Sequence, residues 1–345
     1  MTFATAQKVV DFVMDAAPSG QRIDFSFFGG EPLLRFDLIG EVVGYIRKRE
    51  QETERSTFLS VTSNGIPLTR PMLDFFRAEN VDLCISIDGP VEVHDLNRVH
   101  RNGRGSYAEV VRSLQMAMDC LDAVQVNAVY GPETVGFLPQ SVSFFMELGV
   151  PAIHLNPNIC ASWTGISYTE LVETFMRIAD HYIRSYQQGQ EIAVNLIDSK
   201  LILFMKGGYG HDDMCGMGET EWGFAPSGNI YPCERFIGED NDSSLCLGNV
   251  HSGLDLARRC SLLKRRGNRN EECKTCSLRT YCMNWCGCTN YYMTGSTDLA
   301  GPILCAIEQA TIKAAEHVFV TLSTLDNELF VDHLMRYVYE GRHYR

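Results

Sequence analysis

The chain has 345 residues, 45% hydrophobic and 21% charged, enough apolar material for one large domain or two ordinary ones. Its 30 Lys and Arg stand against 43 Asp and Glu, a net charge of −13, which excludes nucleic acid and anionic membrane surfaces as main partners, since both demand clustered cations. The one basic cluster, "KRR" at 264–266, reads as a solvated turn. No window approaches the ~20 uninterrupted apolar residues of a spanning helix. With no secretion signal, the 13 cysteines are expected as reduced cytoplasmic thiols, and close spacing then points to metal or redox chemistry.

The first element is an amphipathic helix within 1–20, interrupted by Gln7, Lys8, Asp11 and Asp15. Strand candidates follow at 23–28 ("IDFSFF"), 58–63 ("FLSVTS"), 83–88 ("LCISID"), 124–130 ("VQVNAVY") and 152–156 ("AIHLN"). Each gap leaves room for one helix, and "RPMLDFFRAEN" and "GSYAEVVRSLQMAMDCL" carry clear helical periodicity, the second with Ser106 as expected N-cap. Near-continuous apolar strands alternating with helices predict an α/β fold with a parallel sheet. Helices are expected at 168–187 and 196–206, then a hairpin in "GFAPSGNIYPC" turning at Ser227-Gly228. Two further helices follow Cys305, the last with Leu329, Phe330, Leu334 and Val338 at packing positions.

"FFGGEPLL" (27–34) follows the first strand and opens a helix. Gly29 and Gly30 allow a ligand close to the backbone, and Glu31 sets a carboxylate at the C-terminal end of a parallel strand, where α/β folds bind ligands. A glycine turn explains the glycines but not the Glu-Pro sequel. "TSNG" (62–65) and "SIDGP" (86–90) fall at the ends of the next two strands, followed by "HDLNR" and "NGRGSY". Taken alone, Asp88-Gly89-Pro90 is a turn and Arg98 an ion-pair partner. His94, His100, His154 and His211 have no metal-ligand spacing.

The later cysteines run Cys215, Gly228-x4-Cys233, Cys273-x2-Cys276-x5-Cys282-x3-Cys286, then Cys305. Five cysteines in residues 273–288 are one too many for one tetrahedral site and too few for two, and the seven divide naturally between two sites whose ligands interleave along the chain. With the glycine motif, this pattern resembles radical S-adenosylmethionine enzymes with a SPASM extension, the group of anaerobic sulfatase maturases and peptide maturases.

The resemblance implies a partial (β/α)6 barrel over 1–206, a cysteine-rich iron–sulfur domain over 207–310 and a helical tail over 311–345. It implies S-adenosylmethionine as cofactor, with Gly29, Gly30 and Glu31 at its methionine moiety, Ser86 and Asp88 near its ribose and Arg98 near its carboxylate. It further implies two auxiliary [4Fe–4S] clusters, one on Cys273, Cys276, Cys282 and Cys305, the other on Cys215, Cys233 and Cys286. Where sulfatase maturases have another cysteine shortly after the first, this chain has Glu219 and Glu221. An open iron, a carboxylate or a substrate thiolate then completes the second cluster. Cys288 is left over as a packing thiol, and two zinc sites are the competing reading of the same sulfur ligands.

The family also has a C-x3-C-x2-C loop after its first barrel strand, and this sequence holds none, its first cysteine being Cys84. The expectation is therefore a chain that begins after that strand and loop and is inactive alone. In the complete enzyme, a 5′-deoxyadenosyl radical abstracts hydrogen from a peptide or protein substrate, supplied with electrons by a ferredoxin or flavodoxin. Glu234, directly after Cys233, is the candidate general base, with a pair to Arg235 or a place beside the cluster as its plainer reading. A non-catalytic iron–sulfur or peptide-binding subunit and a zinc-stabilised structural protein remain as alternative functions.

Overall fold

The structure, a computed structural model, describes residues 1–345 except 19, 242, 243, 266 and 341–345, and at 212, 339 and 340 the backbone alone. Arg266 of the basic cluster thus lies outside the described residues.

Six strands lie side by side in chain order: β1 (Ile23–Phe27), β2 (Thr57–Ser63), β3 (Val81–Ser86), β4 (Val124–Tyr130), β5 (Ala152–Pro157) and β6 (Ala193–Val194). Five match the expected strands to within two residues. The sixth is only two residues long, too short to show a period, and it is held by parallel pairing of Ala193 with Ala152 and Val194 with Ile153. Helix α1 (Phe3–Ala16) precedes β1. The crossovers carry α2 (Phe36–Thr53), α3 (Arg70–Glu79), α4 (Val91–Asn97), α5 (Tyr107–Met118), α6 (Leu138–Glu147) and α7 (Tyr168–Gln187). The last of these begins on a full capping box, Ser167 accepting from the Glu170 amide and Glu170 from the Ser167 amide.

The strands are not near-continuous apolar runs. β3 buries Val81, Leu83 and Ile85 but leaves Asp82, Cys84 and Ser86 half-buried; β4 buries Val124, Val126, Ala128 and Tyr130 around the half-buried Gln125 and Asn127. Register puts Ser86 beside Asn127 and Asn127 beside His154, so the polar residues share one face. On it Gln125 bonds His154 at 2.9 Å and Asn156 donates to Asn127 at 2.7 Å. One face is a dry core and the other is polar, as a ligand-holding barrel requires.

The chain divides into two compact units. One comprises 62–210, 272–283 and 301–345. Here α12 (Pro302–Thr324) packs on α7 and on α8 (Asn195–Lys206), and α7 meets α13 (Glu328–Glu340) through Tyr186 against Phe330, with Phe175, Ile178, Leu201, Ala315 and Val318 buried. The other comprises 1–61, 211–271 and 284–300. It holds a four-stranded antiparallel sheet of β7 (Gly223–Phe224), β8 (Asn229–Tyr231), β9 (Gly248–Asn249) and β10 (Gly253–Leu254), the first two forming the expected hairpin. Phe12 of α1 meets Trp222 and Phe224 edge-on, each at 5.7 Å. Three short helices complete the count: α9 (Leu256–Leu263) and α11 (Gly287–Thr294) in this unit, and α10 (Glu271–Lys274) at its border.

Candidate functional site

At the end of β1 the chain turns through Gly29 and Gly30, with φ of +94° and +55°, values that favour glycine. A Cβ built on either meets nothing within 4 Å, so the backbone there is open to a ligand. Glu31 follows and accepts from the Leu33 amide at 3.0 Å, capping the turn at Pro32–Arg35. The motif thus presents open backbone followed by a carboxylate that caps the next turn.

In the other unit, Ser86 ends β3 on the polar face. Asp88, 5% exposed, is bound to Arg98 through two hydrogen bonds of 2.8 and 2.9 Å, and also accepts from the Val129 amide at 2.9 Å. Two of the expected cofactor contacts are therefore joined to each other, tying the ends of β3 and β4. The loop behind them is set by His94, whose Nδ1 accepts from the Asp88 amide while Nε2 bonds Ser106 at 3.0 Å. Burial pushes the imidazole down to about 4, so it stays neutral and keeps one nitrogen as acceptor. Ser106 donates in turn to the Arg98 carbonyl at 2.8 Å, and its side chain makes no N-cap bond to α5.

The strongest constellation lies in the unit with the antiparallel sheet. Cys215, Cys233 and Cys286, which are 71 positions apart at most, converge there. Cys215 donates to Glu221 at 3.2 Å and Cys233 to Glu234 at 3.1 Å. Ligand atoms of Glu221, Cys233 and Glu234 lie within 4.8 Å of one another. Cys286 caps the start of α11, and its sulfur is 3.5 Å from that of Cys288. Cys288 hydrogen-bonds Cys233 in turn. The thiols thus form a chain, 286 to 288 to 233, that ends on the Glu234 carboxylate. Arg235 donates to the Cys288 sulfur at 3.8 Å and to Thr289 at 3.3 Å.

Burial, reinforced by the Glu221 carboxylate, pushes the Cys215 thiol well up. Burial likewise raises Glu221, with the Glu234 charge adding to it. The bond from Cys286 to Cys288, then burial, raises Cys286. Protonated thiols crowded beside carboxylates are groups that a cation would relieve, each thiol yielding its proton on ligation. The sulfur-rich donor set fits iron–sulfur chemistry. Sequence reasoning left Cys288 out; its signal was the C-x-C spacing at a helix start.

The remaining ligand candidates, Cys273, Cys276, Cys282 and Cys305, all fall in the other unit. The chain around Cys282 is anchored by a buried ion pair, Lys200–Glu308, at 2.8 Å. Lys200 also donates to the Tyr281 carbonyl at 3.0 Å, and the Met283 amide donates to Glu308. Glu308 stands three residues after Cys305 on α12, so both neighbours of Cys282 are tied to the turn that bears Cys305. Gln309 donates to the Cys305 sulfur at 3.0 Å. All four are thiol donors, the ligand type that iron–sulfur clusters take.

Residues 1–145 match the radical SAM superfamily. A cysteine-type anaerobic sulfatase-maturating enzyme of Clostridium novyi is 22% identical over 283 residues, 77% of this chain and 73% of that protein. A serine-type counterpart from Bacteroides thetaiotaomicron is 24% identical, over 71% of this chain and 63% of its own length. Among solved structures, native anSMEcpe with bound AdoMet superposes with a TM-score of 0.78 over 94% of this chain and 90% of that one, at 17% identity. The same enzyme with AdoMet and the Cp18Cys peptide gives 0.74. The radical SAM match thus spans the glycine motif and the first four strands, and over most of its length the chain is similar in sequence to anaerobic sulfatase-maturating enzymes and in fold to one of them with bound AdoMet.

Proposed function

We propose that the chain modifies a peptide or protein substrate, in the manner of a sulfatase maturase or a maturase of ribosomal peptides. The observation that carries this reading is the Glu234 carboxylate, one bond from the buried Cys233 thiol in a four-cysteine cluster. Similarity to cysteine- and serine-type maturases, and to one with a bound peptide, supports the substrate class.

S-adenosylmethionine with a reduced [4Fe–4S] cluster supplies radical hydrogen abstraction when bound. The chain's own residues do the rest. Gly29 and Gly30 open the backbone to the methionine moiety, and Glu31 offers its carboxylate. Ser86 faces the polar side of the sheet. The Asp88–Arg98 pair fixes the loop beside it. Cys273, Cys276, Cys282 and Cys305 would hold one auxiliary [4Fe–4S] cluster, and Cys215, Cys233 and Cys286 would hold the other. Glu234 takes the proton released by the substrate's reacting carbon or heteroatom. A ferredoxin or flavodoxin supplies electrons.

Anaerobic reconstitution with iron and sulfide tests the cluster content: about eight irons per chain and a brown colour support it. A colourless protein holding zinc overturns it in favour of a structural role. The protein expressed from its complete gene should convert a Cys- or Ser-bearing sulfatase peptide. Glu234→Gln in that protein should release 5′-deoxyadenosine without completing product. Unchanged product removes Glu234 from the role.

A further inference from the structure

We propose that Cys288 is the fourth thiolate of the auxiliary cluster held by Cys215, Cys233 and Cys286. The proposal rests on the iron–sulfur reading above and deepens it.

Three observations carry it. First, Cys288 is buried at 3% exposure and touches two of the three other ligands, Cys286 at 3.5 Å and Cys233 by a hydrogen bond. Without it, the thiol chain from Cys286 to Cys233 has no middle member. Second, its surroundings suit an anion. It sits in the first turn of the eight-residue helix α11, where the helix dipole favours negative charge. The Arg235 guanidinium approaches its sulfur at 3.8 Å. Third, the competing ligand is Glu221. Its oxygen serves as acceptor for Cys215, and a carboxylate is a harder donor than iron in a sulfide cage selects. With Cys288 the site becomes an all-sulfur quartet. Glu221 then stands beside it as an acceptor for a proton that the thiols give up on ligation.

The assignment has a second consequence. A quartet of protein thiolates leaves no iron of this cluster open to substrate, so substrate thiol ligation is excluded at this site.

The test uses the full chain, reconstituted anaerobically with iron and sulfide, with Cys288→Ala, Cys288→Ser, Glu221→Gln and, as control, Cys260→Ala, whose thiol is exposed on α9. Circular dichroism checks that each variant folds. Mild oxidation should convert one cluster of both Cys288 variants to a [3Fe–4S] form, seen as a new electron paramagnetic resonance signal with the loss of about one iron per chain. Parent, Cys260→Ala and Glu221→Gln should show neither change. If the Cys288 variants match the parent while Glu221→Gln loses iron, the ligand is Glu221 and the proposal is overturned. If all variants match the parent, the iron is open and the proposal is again overturned. A parent without sulfide would overturn the iron–sulfur reading itself, a different failure visible before any variant is made. A Cys288 variant that fails to fold is replaced by mass-spectrometric footprinting of the parent. Cys288 should then resist alkylation with the clusters loaded and react once a chelator removes them. Equal reactivity in both states overturns the assignment.

Discussion

Replacing or deprotonating His333 should loosen the last helix in a defined pH window. His333 on α13 is 1% exposed; its Nε2 lies 2.6 Å from Asp198 and its Nδ1 3.0 Å from Glu191. Tyr182 donates to the same Asp198 at 2.8 Å, and Arg336 pairs with Glu191. Burial works against the imidazolium, but the Asp198 and Glu191 carboxylates outweigh it and raise the group from an ordinary 6.5 to about 9. A raised folded-state value means that protonation stabilises the fold. The contribution is complete below pH 6.5 and is lost as pH rises through 9. At about 1.4 kcal/mol per unit, it amounts to roughly 3 kcal/mol, a hundredfold in local opening. Hydrogen exchange of the α13 amides, expressed as protection factors to remove the base-catalysed intrinsic rate, reads this directly. Protection should fall about a hundredfold between pH 6.5 and 9. In His333→Gln it should be low at pH 6.5 and change little across the window. Parallel profiles for the two proteins would refute the reasoning.

Lys200→Met leaves the Glu308 carboxylate buried without its cation, and should cost about 3–5 kcal/mol in urea or thermal denaturation. On the proposed assignment of a cluster to Cys282 and Cys305, it should also speed iron loss, which iron release to a chelator measures. A Cβ at Gly223 would meet the backbone of Cys233 and Glu234 at 2.8 Å. Gly223→Ala should therefore destabilise by about 1–3 kcal/mol and lower the iron content of the cluster bearing Cys233. Asp88→Asn exchanges a doubly bonded partner of Arg98 for a neutral one; a loss of about 2 kcal/mol in chemical denaturation is expected.

Much of the barrel was legible in the chain because its strands are bounded by turn residues and its crossovers are strongly periodic. Tyr168–Gln187 was readable to the residue, since Ser167 and Glu170 mark its start. Ala193–Val194 was not, because two residues carry no alternation and tertiary pairing alone makes them a strand. Alternation within β3 and β4 was hidden by Cys84 and Val129, which count as apolar in a pattern yet lie on the polar face. At the site, the gathering of Cys215, Cys233 and Cys286 followed from a family pattern. Cys288 did not, since spacing cannot tell a packing thiol from a ligand two positions along a helix. The Asp88–Arg98 bond joins positions 88 and 98 through a loop whose course is set by His94 and Ser106, together with the Val99–Gly105 bridge.

The knot of Lys200, Glu308, Tyr281 and Met283 holds its shape through charge and amide bonds in which no sulfur takes part. Small zinc modules are unfolded until their ion arrives. Around Cys282 and Cys305 the polypeptide is instead braced by bonds independent of its thiols, so on the proposed ligand assignment replacing one of those thiols should cost iron far more than it costs stability.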